Sequence, residues 1–173
     1  METKTYIGID NGVTGTLGML SVSLESGLVI QKDFCKIPVF SQQSYTKKKG
    51  NITRVQVDEF LRILNVWALG ADSVFVALER PMVSPRRWKA TLSAMRCLEA
   101  VLICLEMLDF DRRYIDSKEW QKEFFPEKPE KGETKRYSSE VGSRLFTEFT
   151  DKIKKYGDAD GLLIAEYCRR QKY

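Results

Sequence analysis

The pattern of apolar and polar positions divides the chain into short strand-like runs and longer helical ones. Tyr6-Ile7-Gly8-Ile9-Asp10 is a β-rich run that ends in an acid. A turn with two glycines follows, Asn11-Gly12-Val13-Thr14-Gly15-Thr16, and Leu17 to Val22 resumes as a strand. After the turn Glu25-Ser26-Gly27, a third strand runs from Leu28 to about Ile37. Three consecutive antiparallel strands are the simplest arrangement of these runs. Gln42 to Asn51 is polar and carries Lys47-Lys48-Lys49-Gly50, which predicts a mobile basic loop. From Val55 to about Leu69 the apolar residues Val57, Phe60, Leu61, Leu64 and Trp67 recur at helical spacing. Ser73 to Glu79 is almost unbroken apolar sequence ending in an acid, the signature of a buried strand parallel to the first.

The second half alternates in the same way. Arg80 to Trp88 is a loop with two prolines, and Ala90 to Leu108 a long helix with apolar residues on more than one face. Such a helix suits either a dimer interface or the middle of a core. Tyr114-Ile115-Asp116 is a short strand, and Ser117 to Gln121 resembles a capped helix start without the acid a full capping box wants. Pro126 to Thr134 is a charged loop; Lys135 to Phe149 and Asp158 to Arg170 are the closing helices. No repeat or domain-scale linker interrupts the pattern. The expectation is one α/β domain over residues 1–173, a mixed sheet flanked by helices.

Composition narrows the chemistry. With 173 residues, 43% of them hydrophobic, the chain can bury a full core. The 28 basic residues outnumber the 24 acidic ones, a net +4 that is compatible with nucleic acid without requiring it. The chain has no histidine, which removes His-zinc sites, Ser-His-Asp triads and imidazole acid–base chemistry together. Cys35, Cys97, Cys104 and Cys168 are too widely spaced for a structural zinc site, and Cys97 and Cys104 read as buried thiols. No signal peptide opens the chain and no apolar run nears the roughly 18 residues of a membrane span, so a reducing, cytoplasmic setting is expected.

Three acids stand out by position. Asp10 and Glu79 end two strands predicted to be parallel, and Asp160 opens the last helix. Parallel strands present their carboxyl ends on one edge, where open α/β sheets place ligands. Three converging carboxylates suit Mg²⁺ or Mn²⁺, and such ions support phosphodiester hydrolysis without histidine. Each acid also has a plainer reading: turn chemistry for Asp10, pairing with Arg80 for Glu79, a helix cap for Asp160.

Three motifs, Ile7-Gly8-Ile9-Asp10-Asn11-Gly12…Thr14-Gly15, Leu78-Glu79-Arg80-Pro81 and Asp158-Ala159-Asp160-Gly161-Leu162-Leu163-Ile164-Ala165, together resemble the RuvC family of Holliday junction endonucleases, and its phage-type members more closely. The resemblance runs from the first strand to the last helix. It implies an RNase H-like fold with a mixed five-stranded sheet, a homodimer, and Mg²⁺-dependent paired nicking of four-way DNA junctions that leaves 5′-phosphate and 3′-hydroxyl ends. It places Asp10, Glu79 and Asp160 at the metal site. The family's fourth acid falls at Gly157 or Tyr156, neither of them acidic, so Asp158 is the nearest substitute, as metal ligand or as N-cap. Lys135 matches the family's lysine near the scissile phosphate, with Lys118 a second candidate. Solvated surface is the plainer reading of both lysines. Arg86, Arg87 and Lys89 would lie beside the metal edge, as DNA contacts or as plain surface. Met82 stands where some members place a wedge residue; Trp88 is the alternative, and ordinary packing serves for either. The Lys47–Lys49 run is a phosphate contact or a solvated loop. Two other functions fit parts of the pattern: an actin-like sugar kinase or ATPase domain, through the Asp10–Gly15 loop, and a junction-binding protein without cleavage.

Overall fold

The computed structural model describes residues 2–45, 47, 49–130 and 132–173; Lys48 of the basic run lies outside the described residues. The sheet is built from β1 (Thr3–Ile9), β2 (Thr16–Ser23), β3 (Val29–Lys36), β6 (Ser73–Glu79) and β7 (Asp111–Ile115), in the order β3-β2-β1-β6-β7. β1, β2 and β3 pair antiparallel, whereas β1–β6 and β6–β7 pair parallel. This is the mixed five-stranded sheet expected, flanked by helices on both faces.

Alternation along the central strand divides the core. Ile7 and Ile9 point to one face, where α1 (Val57–Ala68) contributes Phe60, Leu64 and Trp67 and α2 (Trp88–Met107) contributes Leu98, Val101 and Leu105. Fully burying each such side chain is worth about 1.5–3 kcal/mol. Tyr6 points to the other face, which is covered by α3 (Ser117–Phe124), α4 (Thr134–Leu145), α5 (Thr150–Tyr156) and α6 (Asp160–Gln171). Cys97 and Cys104 are buried free thiols, as their apolar setting predicts.

Glycine lets α6 lie directly on the sheet. A Cβ on Gly8 would fall 2.2 Å from the Gly161 carbonyl oxygen, and one on Gly18 would fall 2.4 Å from the Leu162 nitrogen. Without those side chains the first turn of α6 rests on the backbone of β1 and β2. That contact carries the amino end of α6 to the carboxyl end of β1.

Four details differ from the sequence reading. β4 (Val39–Gln43) pairs antiparallel with β5 (Asn51–Val55), so Lys47 and Lys49 lie between two hairpin strands. These strands are short, and most of their residues are exposed or half-exposed, so they lack the apolar alternation that marks a half-buried strand. The region from Lys135 is not one helix to Phe149: α4 stops at Leu145, a single 3₁₀ turn spans Thr147–Phe149, and α5 follows. Phe146 leaves helical geometry to enter the core. The last helix starts at Asp160, not Asp158. The N-cap of α3 is Asp116 rather than Ser117, which puts Glu119 at the third helical position, and the Glu119 carboxylate accepts from the Asp116 backbone N–H at 3.1 Å. Among the described residues no helix is long and apolar enough to cross a membrane.

Candidate metal centre

Strand register brings the first two acids together. Ile9 pairs with Leu78 across the parallel β1–β6 ladder, so the next residues, Asp10 and Glu79, leave the same edge side by side. The Asp10 N–H still donates to Thr16 O at 3.0 Å, which holds Asp10 in the sheet. The amino end of α6 delivers Asp158 and Asp160. Carboxylate oxygens of Asp10, Asp158 and Asp160 all lie within 4.8 Å of one another.

Asp158 sits two residues before α6, with Ala159 as the formal N-cap. Its carboxylate accepts from the Asp160 N–H at 3.4 Å, so it serves the helix end while facing the other acids. It also accepts from the Thr16 hydroxyl at 3.1 Å and from the Lys135 ammonium at 3.0 Å. The Asp158 side chain is 0% exposed, whereas that of Lys135 is 62% exposed, so the ammonium reaches inward from the solvent side.

Three buried donors position the acids, and the sequence reading named none of them in that role. Thr16 accepts from the Gly161 N–H at 3.0 Å while donating to Asp158. The Ser138 hydroxyl donates to Asp160 and accepts from the Ala159 N–H at 3.0 Å. The Trp120 indole N–H donates to Glu79 Oε1 at 3.2 Å. Ser138 follows Lys135 by three positions, hence on the same helical face, which is a readable signal. Thr16 and Trp120 reach the site only through tertiary packing.

Electrostatics shows what the cluster lacks. Burial, and then the charges of Glu79 and Asp158, hold the Asp10 carboxyl well above the usual carboxylate range. Burial, followed by Asp10 and Asp158, does the same to Asp160. Glu79 is pushed up to about 7, by burial and then by Asp160, against the hydrogen bonds from Asp10 and Trp120. Burial of Lys135, which alone would lower its pKa, is outweighed by Asp158, and the ammonium stays charged. One ammonium does not balance four acids. An all-oxygen, half-buried anionic pocket fits a hard divalent cation.

The plainer reading of Glu79, a pair with Arg80, gives way. Arg80 pairs with Asp116 at 3.2 Å rather than with Glu79. Tyr156 packs against Phe34 with ring centroids 5.4 Å apart, and Gly157 ends α5 at φ 91°, so neither position offers a ligand. The other predicted residues lie outside the cluster. Met82 is 76% exposed and Trp88 62% exposed, in the segment that follows β6. Arg86, Arg87 and Lys89 are exposed at the entry to α2, and Lys118 is exposed in the first turn of α3, after β7.

No family model and no curated sequence matches the chain. Solved structures do match. RuvC of Thermus thermophilus in complex with a Holliday junction substrate aligns over 99% of this chain and 96% of its own, with TM-score 0.53 and 14% identity. A second Thermus thermophilus RuvC structure aligns over 98% and 96%, with TM-score 0.50 and 14% identity. At that identity the likeness concerns the fold, and the chain has the RNase H-like fold of these proteins.

Proposed function

We propose that the chain is a metal-dependent, structure-selective DNA endonuclease that resolves four-way junctions by paired nicks. The observation that carries the reading is the convergence of Asp10, Asp158 and Asp160 within 4.8 Å at the carboxyl edge of an RNase H-like sheet. The resemblance of the motifs around these acids to the RuvC family, in its phage-type branch, supports the choice of branched DNA. So does the junction bound to one of the fold's matches.

In this reading Asp10, Glu79, Asp158 and Asp160 hold Mg²⁺, for which Mn²⁺ can substitute. The bound cation supplies water activation and stabilisation of the leaving oxygen. The remaining chemistry belongs to the chain. Thr16, Ser138 and Trp120 hold the carboxylates in place before the metal arrives. Lys135, anchored on Asp158 and open to solvent, stabilises negative charge developing on the scissile phosphate. Arg86, Arg87, Lys89 and Lys118 grip the DNA backbone, and Met82, exposed three residues after Glu79, contacts the opened junction.

One nuclease domain over residues 1–173 forms a homodimer whose two sites face the near-symmetry of the junction. Leu92 and Met95, partly exposed apolar residues on α2, supply contact area for the dimer. Four free cysteines support a reducing, cytoplasmic setting.

The test is cleavage of a labelled four-way junction beside a linear duplex of the same sequence, in Mg²⁺ and in EDTA. Paired nicks confined to the junction and to Mg²⁺ are expected. Binding without nicking in either Mg²⁺ or Mn²⁺ would reduce the chain to a junction-binding protein, and failure to bind would reopen the ATP-binding alternative.

A further inference from the structure

A cleft of about 420 Å³ lies between the β4–β5 hairpin and α2. It is separate from the carboxylates, but it shares a turn of α2 with the loop that carries Asp10. The Asn11 side-chain amide donates to the Ala94 carbonyl at 3.3 Å, one turn of α2 from Cys97, which lines the cleft. Val55, Ala100 and Ile103 give the cleft apolar lining, and Tyr45, Arg54 and Arg96 give it polar lining.

Arg96, which lines the cleft, is only partly hydrogen-bonded. Its Nη1 donates to the Tyr45 hydroxyl at 3.1 Å, which braces the guanidinium. Its Nε is buried and has no acceptor. Among the described residues it enters no ion pair, although Glu99, which is exposed, lines the same cleft. A buried charged donor without an acceptor is costly, so such groups are nearly always paired. The Nη1–Tyr45 hydrogen bond is exposed, so the guanidinium meets the cleft through its Nη end, a planar cation suited to an oxyanion.

We propose that this cleft is a second DNA-backbone subsite, which takes one phosphodiester on Arg96 and its deoxyribose against the apolar lining. The proposal rests on the reading of the chain as a branched-DNA nuclease. The surrounding charge favours a phosphodiester over a protein carboxylate: Arg54 lines the cleft, and Lys47 and Lys49 are exposed between the adjacent hairpin strands. Tyr45, 72% exposed, offers a ring face to the sugar or base that follows. Because α2 residues 94–97 touch both the Asp10 loop and the cleft, a phosphate held there fixes the reach of one DNA arm from the metal edge.

The test is anisotropy titration of a labelled four-way junction in EDTA across a salt series, with the full chain as wild type, Arg96→Ala, Arg96→Lys and Tyr45→Phe. Stabilisation of each variant by Mn²⁺, read as a melting shift, reports the metal centre independently. Arg96→Ala should lose roughly tenfold in affinity and flatten the slope of log K against log salt by about one, with the Mn²⁺ shift unchanged. Arg96→Lys should keep most of the slope, because the charge remains. Wild-type affinity and slope in Arg96→Ala would overturn the subsite. If Arg96→Ala fails to melt cooperatively, Tyr45→Phe decides, since it keeps the ring but drops the brace: a loss of about twofold or more supports the subsite and none overturns it. A changed oligomeric state with an unchanged slope, read by sedimentation, would assign the cleft to a subunit contact and overturn it as well. Wild type that binds no branched DNA would remove the functional reading and the subsite together. Wild type that binds while the Arg96 variants bind equally well would remove the subsite alone.

Discussion

The indole N–H of Trp120 donates to Glu79 Oε1 at 3.2 Å, linking a fully buried ring on α3 to an acid at the end of β6. Trp120 also packs edge-on against Phe125, with centroids 5.6 Å apart, so its orientation is set by the core. Trp120→Phe keeps the aromatic packing and removes the donor. Groups that orient metal-binding carboxylates are typically worth about 10–100-fold in metal affinity or activity. Single-turnover nicking should therefore slow about tenfold at fixed Mg²⁺ while junction affinity stays within about twofold. Unchanged nicking across a Mg²⁺ titration would show that Glu79 needs no orientation from the indole.

Ser138 offers a second handle on the same machinery. Ser138→Ala leaves the buried Ala159 N–H without its acceptor and Asp160 without a donor. An unsatisfied buried group costs about 1–3 kcal/mol. The midpoint of urea unfolding should fall accordingly, and the Mn²⁺ concentration needed for half-maximal thermal stabilisation should rise about tenfold. A fall in stability with no change in that Mn²⁺ requirement would restrict Ser138 to a structural role.

Gly8→Ala tests the contact that brings α6 to the sheet. The added Cβ would lie 2.2 Å from the Gly161 carbonyl oxygen and 2.5 Å from the Ala165 nitrogen, both backbone atoms without a rotamer to escape into. Overpacking of this kind costs about 3 kcal/mol. Chemical denaturation should show a loss of that size, with weakened Mn²⁺ binding as Asp158 and Asp160 move from Asp10. Wild-type stability would mean that α6 does not sit as close to β1 as described.

The pH dependence of stability follows from the same crowding. Burial and neighbouring charge push Glu79 up to about 7 and hold Asp10 and Asp160 well above the carboxylate range. In an unfolded chain these groups titrate near about 4. Between those limits the folded chain binds more protons than the unfolded one, so metal-free stability falls as pH rises through the window. In EDTA the melting temperature should be lower at pH 8 than at pH 5.5. Saturating Mg²⁺ should raise it more at pH 8, because protons and metal compete for the same oxygens. A melting temperature independent of pH in EDTA would contradict the crowded anionic site.

The site's skeleton was readable because apolar runs ending in single acids carry their own meaning. Ile7–Ile9 and Val76–Leu78 are buried, parallel and in register, as their composition implies, and the acids that follow them are half-buried. The close approach of α6 is present in the sequence only as glycines, whose role appears once Gly8 faces Gly161. The hairpin escaped because none of the described residues from Phe40 to Arg54 is fully buried, so no apolar alternation marks its strands. The break at Phe146 escaped because the helical pattern continues through it, while tertiary packing draws the ring inward. Trp120 and Thr16 meet their carboxylates across 41 and 142 residues, a distance no local pattern spans.

In the proposed function the cluster around Asp10 binds a divalent cation and cuts DNA with it. The most direct measurement compares wild type and Asp10→Asn on one labelled four-way junction, binding in EDTA and nicking in Mg²⁺. Asp10→Asn removes a charge from the cluster and keeps the shape of the side chain. Junction affinity should stay within about twofold of wild type, and nicking should fall by a factor of about 10³ or more, or about 4 kcal/mol at the barrier. Metal-dependent nicking by Asp10→Asn at the wild-type rate would contradict that function.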